Sequence, residues 1–453
     1  MWQERVRVVL PLALLNIFVL VAGVVVRDIV VSRPPEPTPR PLTVAEVGTE
    51  QSGVDDASID SERLAELLDD RMTDSGGGEG LAAYVADAQT GDPLYGRDAD
   101  DAAVPASTTK IATGVAVLAA VGPDERIDTT VVRGERDDEV ILVGQGDPTL
   151  TETRDPGAYP RLPALEELAE DTARRLQADG VDTVDIGYDD SAFTGSDTGP
   201  GWQPNYVTEG SVAPVHALMI DTGRLDRDER YGERAADPPL AAAEAFARQL
   251  EAAGLTVRGD PTEREAAEGA ETLAQASSAP ISALVEIMMT ESENNVAEAL
   301  AFQVALARGG EASFADAGPA LEETLAELGV DGLRLSDGSG LSVNNRISPT
   351  ALVELLLLAS DPERAELAPT VTGLPVAHFN GTLSDRYSPQ SEAAEGAGWV
   401  HAKTGTLSGV STLAGIAADA DGRLRAFAFM DNDPAATGSR LDALAATLVE
   451  CQC

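Results

Sequence analysis

The sequence predicts an α/β (α+β) protein whose main domain is assembled from both ends of the chain, with a mixed α/β segment inserted between them. Three observations carry that expectation. Between residues 61 and 120 an amphipathic helix, two strand-like runs and an apolar helix follow one another. Residues 398–450 read as three strands and a closing helix. The middle, roughly 125–280, changes to short strands mixed with helices, as a separate layer would.

Taken in order, 8-VVLPLALLNIFVLVAGVVV-26 is an uncharged run preceded by Arg5 and Arg7 and closed by Arg27 and Asp28. It is long enough to cross a bilayer, longer than the usual apolar region of a signal peptide, and lacks an A-x-A-like cleavage site. The expectation is a transmembrane signal-anchor over 8–26 with residues 1–7 cytoplasmic and the body of the protein extracytoplasmic at the cell membrane. A cleaved signal peptide, which would release the protein, is the rival. Residues 27–58, containing 33-RPPEPTPRP-41, form a Pro-rich linker.

The globular part opens with an amphipathic helix, 61-SERLAELLDDRM-72. Gln89-Thr90-Gly91-Asp92 then separates two strand-like runs and reads as a hairpin. An apolar helix starts near Ser107 in 104-VPASTTKIATGVAVLAAV-121. The segment 125–280 contains 138-DEVILVGQ-145 and 182-DTVDIGYDD-190 as strands and 239-PLAAAEAFARQLEAAG-254 as a helix. Residues 398–433 alternate as three strands around an Asp421-Gly422 turn, and 439-SRLDALAATLVE-450 is a final helix. The first domain is therefore expected from 59–124 plus 281–453, with 125–280 inserted.

Composition excludes more than it assigns. Asp and Glu number 77 against 32 Lys and Arg, a formal charge of −45. Nucleic acid and anionic lipid surfaces both demand a positive face, so neither is an expected partner. Cys451 and Cys453 are the only cysteines and the three histidines (His216, His378, His401) are scattered, so no metal spacing exists and no cofactor is expected. A Cys451–Cys453 bridge would close a small, strained ring.

One detail of the cations points to chemistry. Of the 32, only Lys110 and Lys403 are lysines. Arginine replaces lysine on surfaces and in ion pairs, but it does not give up its proton, whereas a buried lysine can act as a base near neutrality. Chance placement is the ordinary alternative. Ser107 lies three residues before Lys110, a spacing that puts both on one helix face. It can be read as an N-cap or as a nucleophile with Lys110 as its base, beside the positive end of the helix dipole. For Lys110 to serve, burial or a second cation must lower its pKa, and Lys403 is the obvious candidate for that cation.

Lys403 lies in 401-HAKTGTLSGV-410, a strand pattern broken at Gly405, where a glycine marks close approach of a ligand or another backbone. As an edge strand it could pair with an extended peptide, with Thr404 and Thr406 adding hydroxyls. A third stretch, 288-MMTESENNVAEALAFQ-303, places Ser292 and Asn294 before a helix, where Ser292 can also be read as a cap. His401 would share the Lys403 strand face as a pocket-wall residue.

Together these stretches give S-x-x-K, S-x-N and K-T-G in that order, and here the sequence resembles the penicillin-recognising serine acyl-transferases. Further stretches, among them 144-GQGDPTL-150, 201-GWQPNYV-207, 212-VAPVHALMIDTGR-224, 337-DGSGLS-342 and 374-LPVAHFNGTL-383, look like the low-molecular-mass class C penicillin-binding proteins, the D-alanyl-D-alanine carboxypeptidase/endopeptidase family. The resemblance runs from about residue 60 to the C-terminus. It implies a penicillin-binding-protein/serine β-lactamase-like transpeptidase domain with an insertion between the first two motifs. It also implies a serine D,D-peptidase acting on peptidoglycan stem peptides and acylated by β-lactams.

Carried over by residue, Ser107 is the nucleophile and Lys110 its base. Ser292 passes a proton toward the leaving amine, and Asn294 holds the substrate amide and Lys110. Lys403, Thr404, Gly405 and Thr406 form the wall that receives the substrate's terminal carboxylate. The backbone N–H groups of Ser107 and Thr406 are the oxyanion hole. Relatives often carry a basic residue where this chain has Val343 and an acidic one near Gln203, which leaves side-chain preference open. A serine β-lactamase or esterase of the same fold, or a catalytically idle cell-wall-binding scaffold, are the competing readings. Class A β-lactamases use an extra Glu for deacylation, and the sequence has no evident equivalent.

Overall fold

The computed structural model describes residues 60–74 and 80–453, apart from 228, 230, 231 and 452. The apolar run 8–26, residues 1–7 before it and the whole linker 27–58 lie outside the described residues. Among those described, no helix is long and apolar enough to cross a membrane.

Helix α1 (Ser61–Asp74) buries Leu64, Leu68 and Met72, one residue per turn, along a single stripe. Strands β1 (Leu81–Asp87) and β2 (Pro93–Arg97) form the predicted hairpin. Asp87 Oδ1 accepts the amides of Gln89 and Thr90, and Gly91 adopts φ +77°, so the turn residues supply the geometry the hairpin needs. A single 3₁₀ turn (Ala106–Thr108) leads into α2 (Thr109–Ala120), buried from Thr109 through Leu118. A helix apolar all round belongs in the centre of a domain, and α2 sits there.

The inserted stretch comprises β3 (Asp128–Arg133), β4 (Glu139–Gly144), α3 (Leu165–Ala178), β5 (Thr183–Asp189), α4 (Pro238–Ala252), β6 (Thr256–Val257), β7 (Thr262–Glu263) and β8 (Thr272–Ser277). Its sheet runs β6-β5-β4-β3-β8, with β7 also pairing β5. Strands β4, β5 and β6 are parallel, so α3 and α4 are the crossovers that parallel pairing requires. Their Leu165, Leu168, Leu176, Phe246 and Leu250 cover Val140, Leu142 and Ile186 in a core of its own.

The chain then returns through α5 (Ile281–Glu291), α6 (Asn294–Ala307), α7 (Phe314–Glu327) and α8 (Pro349–Ser360) to β9 (Val400–Leu407), β10 (Val410–Ala418), β11 (Leu424–Asp431) and α9 (Gly438–Glu450). The main sheet is antiparallel in the order β2-β1-β11-β10-β9, so strands from both ends of the chain make one sheet. Alternation along β11 divides its two faces. Phe427 and Phe429 pack with α1 and with Leu441, Leu444 and Leu448 of α9, whereas Ala426, Ala428 and Met430 face α2 and the helices of the return path. Arg425 is fully buried on β11, donating to Asp419 at 2.9 Å and to the Leu448 carbonyl at 2.6 Å. Just beyond α9, Cys451 and Cys453 are joined as a disulfide, the pairing that the sequence reading leaves open.

Candidate active site

Ser107 does not start the helix. It occupies the 3₁₀ turn, the residue before α2 is Thr108, and neither element has a side-chain cap. Ala106 takes φ +48°, a left-handed conformation costing on the order of 1 kcal/mol or more for an alanine. The surroundings hold it there. The Pro105 carbonyl accepts the hydroxyls of Thr108 and of Thr412 on β10, both at 2.7 Å. Gly340 lies so close to the Ala106 carbonyl that any side chain there would collide with it. The nucleophile candidate thus sits on a rigid elbow rather than on a helix terminus.

One turn on, Lys110 is completely buried and its Nζ has three partners: Ser107 Oγ at 3.1 Å, Asn294 Oδ1 at 2.7 Å and the Ser339 carbonyl at 2.6 Å. Burial pulls its pKa down to about 8, opposed by the charges of Glu298, Asp337 and Glu293. Of the two routes to a lowered pKa, desolvation is the largest cause here. As a neutral amine, Lys110 donates to the two short carbonyl acceptors and turns its lone pair to the Ser107 hydroxyl, the arrangement of a general base.

Two buried carboxylates set the far side of this lysine. Glu298, one turn after Asn294 on α6, accepts the amides of Gly338 and Ser339, each at 2.9 Å. Asp337 accepts the amides of Gly340 and Ser342, the Asn345 side chain and the Trp202 indole N–H. The peptide whose carbonyl accepts from Lys110 therefore has its own N–H, that of Gly340, bonded to Asp337, which polarises it. Burial beside Asp337 raises the Glu298 pKa to about 8, while the two amides oppose the rise.

Ser292 is not an N-cap either. It ends α5 in the left-handed conformation (φ +56°), Glu293 follows extended, and α6 begins at Asn294. The kink turns Ser292 toward Lys403, whose Nζ donates to Ser292 Oγ at 2.8 Å and to the Thr404 carbonyl at 2.9 Å. Asn294 bridges outward, its Nδ2 donating to the Ser211 carbonyl of the insert at 2.8 Å.

Strand β9 is the sheet's edge, and Gly405 does not break it. A Cβ at Gly405 would lie 2.8 Å from the Pro105 carbonyl oxygen and 3.0 Å from the Ser107 amide nitrogen, so glycine is what lets the strand lie against the Ser107 backbone. Residues 375–377 cover the first half of this edge: the Ala402 amide donates to the Pro375 carbonyl, and the Ala377 amide to that of Val400. Main-chain groups alternate along a strand, so Thr404 and Thr406, in phase with Ala402, direct theirs to the same open side. The Thr404 hydroxyl donates to Thr382 Oγ1 at 2.9 Å.

These elements enclose a cleft of about 190 Å³. Ser107, Ser292, Asn294, Thr404 and Thr406 line it, with Lys110 and Lys403 buried behind them. His401 is exposed and does not line it. Seven further residues line it, none among the site residues expected from the sequence: Ser211, Arg224, Arg234, Glu291, Glu293, Leu341 and Thr382. Among the described residues, no His, Cys, Asp or Glu group is placed to hold a metal ion.

The chain is similar to several known proteins. A sequence model of the D-Ala-D-Ala carboxypeptidase 3 (S13) family matches residues 64–236 and 229–450. A carboxypeptidase of Mycobacterium tuberculosis is 34% identical over 428 residues, covering 93% of this chain and 91% of the relative. A D-alanyl-D-alanine carboxypeptidase from an Actinomadura strain is 32% identical over 470 residues, 83% of this chain and 82% of the relative. Penicillin binding protein 4 of Haemophilus influenzae superposes with a TM-score of 0.67 at 22% identity, over 86% of this chain and 99% of that one. A structure of the same protein complexed with a β-lactam has a TM-score of 0.61 at 21% identity, over 84% and 98%.

Proposed function

The chain belongs to the D-Ala-D-Ala carboxypeptidase 3 (S13) family of peptidases, and on that premise we propose that it hydrolyses the D-Ala-D-Ala bond of peptidoglycan stem peptides through an acyl-enzyme on Ser107. The family and the penicillin-binding-protein-like fold agree with what the three motifs implied. The observation that carries the mechanism is Lys110, wholly buried, with two carbonyl acceptors and Ser107 Oγ as its partners.

In this reading, the Ser107 hydroxyl gives its proton to Lys110 and attacks the carbonyl of the penultimate D-alanine. The amides of Ser107 and Thr406 receive the developing oxyanion, each worth about 3 kcal/mol. Lys110 returns the proton through Ser292, which Lys403 orients, to the leaving amine. Lys403 with Thr404 and Thr406 takes the terminal carboxylate, and water then releases the acyl group. β-Lactams acylate the same serine, a reading supported by the β-lactam complex of the Haemophilus influenzae relative.

We place the catalytic body outside the cytoplasm, tethered by residues 8–26. Support for that comes from the run's length, apolarity and flanking charges.

The test is to treat the full-length protein with labelled penicillin beside Ser107→Ala and to follow the adduct. A long-lived adduct absent from the variant supports the D,D-peptidase. Rapid turnover makes the protein a β-lactamase, and no adduct at all overturns acyl-enzyme chemistry. Deleting residues 1–30 should move the protein from the membrane fraction to the soluble one.

A further inference from the structure

The inserted segment reaches the catalytic cleft and grips the second motif residue by residue. The Asn294 side chain donates to the Ser211 carbonyl at 2.8 Å. Asn295 pairs both ways with the backbone of Ala213, accepting its amide at 2.9 Å and donating to its carbonyl at 3.1 Å. Between these residues and Ser292, the buried Glu293 carboxylate meets two guanidiniums of the insert. Arg224 donates to Glu293 Oε2, and Arg234 Nη2 lies 3.7 Å from Oε1.

The gripping segment is itself built in. Arg234 Nε donates to the Gly210 carbonyl at 3.0 Å and its Nη1 to the Thr222 carbonyl at 2.7 Å, tying the two ends of the segment together. The amides of Asp221 and Thr222 donate to the carbonyls of Leu150 and Pro148, at 2.7 and 2.8 Å, and so anchor it to the insert. Meanwhile Ser292, just before Glu293, holds a left-handed backbone that serine does not choose unaided.

We propose that Ser211, Ala213, Arg224 and Arg234 of the insert form a positioning clamp: by gripping Glu293 between Arg224 and Arg234, it keeps Ser292 aimed at Lys403 and at the leaving amine. The insert is thereby part of the acylation machinery, with Glu293 a positioning residue that acts through Ser292. This rests on the reading of Ser292 as the proton relay.

The test is a double-mutant cycle on the full-length protein, using Glu293→Gln, Ser292→Ala and both together. It is read as the acylation rate with labelled penicillin and as kcat and KM for D-alanine release, on the high-pH plateau where Lys110 is neutral. Glu293→Gln keeps the side chain's shape and removes its charge. Alone it should cost about tenfold or more in acylation rate and kcat, with KM within about twofold. In the Ser292→Ala background the same change should cost less than about twofold, because a residue acting through a lost hydroxyl has nothing left to position. Arg224→Lys, which keeps the charge but loses the planar fork, should give a smaller loss that also vanishes without Ser292; it replaces Glu293→Gln in the cycle if that variant does not melt cooperatively. Losses that multiply independently in an active enzyme overturn the clamp alone. A wild-type protein that forms no adduct overturns the peptidase reading and the clamp with it.

Discussion

Gly405→Ala is the most direct probe of the proposed oxyanion hole, because the added methyl has nowhere to go. Its Cβ would lie 2.8 Å from Pro105 O and 3.0 Å from Ser107 N, and closer still to Thr412 Oγ1. The Thr412 hydroxyl is no free rotor, since it donates to the same Pro105 carbonyl at 2.7 Å. Accommodating the methyl therefore means moving β9 away from the elbow by several tenths of an ångström or breaking the bond that pins the elbow. Overpacking of this kind costs about 1–3 kcal/mol of stability. The larger effect falls on rate: a displaced oxyanion donor costs about 10²–10³-fold, or roughly 3–4 kcal/mol in the barrier. Acylation by labelled penicillin, timed on protein whose melt is cooperative, separates the two. The companion Gly405→Ala/Thr412→Ala relieves the hydroxyl clash but leaves the approach to Pro105 O and Ser107 N and deletes the bond that pins the elbow, so it should not recover rate. A Gly405→Ala protein that acylates within about threefold of wild type would refute the placement of Ser107 and Thr406 amides around the oxyanion.

Four other outcomes are expected. Lys110→Arg should fold yet lose acylation by orders of magnitude, because a guanidinium cannot be the base; stopped-flow acylation checks it. The wild-type acylation rate should rise with pH and level off above about 8, since the neutral amine is the active form and burial lowers the Lys110 pKa to about that value. In spectra of ¹³C-labelled lysine, to which the chain contributes only two residues, the Lys110 signal should titrate over the same pH range as the acylation rate. Asp419→Ala leaves the buried Arg425 guanidinium without its carboxylate and should destabilise the fold by about 3–5 kcal/mol in denaturant titration, more than Arg425→Met, which removes the charge itself.

What could be read from the sequence followed the range of the interactions. Period-two alternation announced β10 and β11, Gln89–Asp92 announced the hairpin, and the isolated lysines pointed to Lys110 and Lys403 together. Each of those signals is local or compositional. Ser107 and Ser292 were legible as candidates but not in their local geometry. A serine before an apolar run is ordinarily a cap, and the elbow and kink that displace both depend on distant contacts such as Thr412 against Pro105. The supports of Lys110 come from 184 residues away at Asn294 and 229 away at Ser339. No window of sequence contains both ends of such a bond. Asp337 and Arg224 fell inside the family-like stretches 337–342 and 212–224, which do not say what either touches, while Glu298 read as an ordinary acidic residue and Arg234 was hidden among 30 arginines.

The covered half of the β9 edge has a bearing on how substrates are measured. A peptide that adds to this edge finds open rungs only from Thr404 onward, because Ala402 is already engaged by Pro375. The strand is then a gauge with a stop at one end. On the proposed reading it would receive the last residue or two of a chain and stop a strand that would run on past Ala402. On that reading, discrimination between a peptide's terminus and its interior would be set by backbone already in place, before any side chain of the substrate is read.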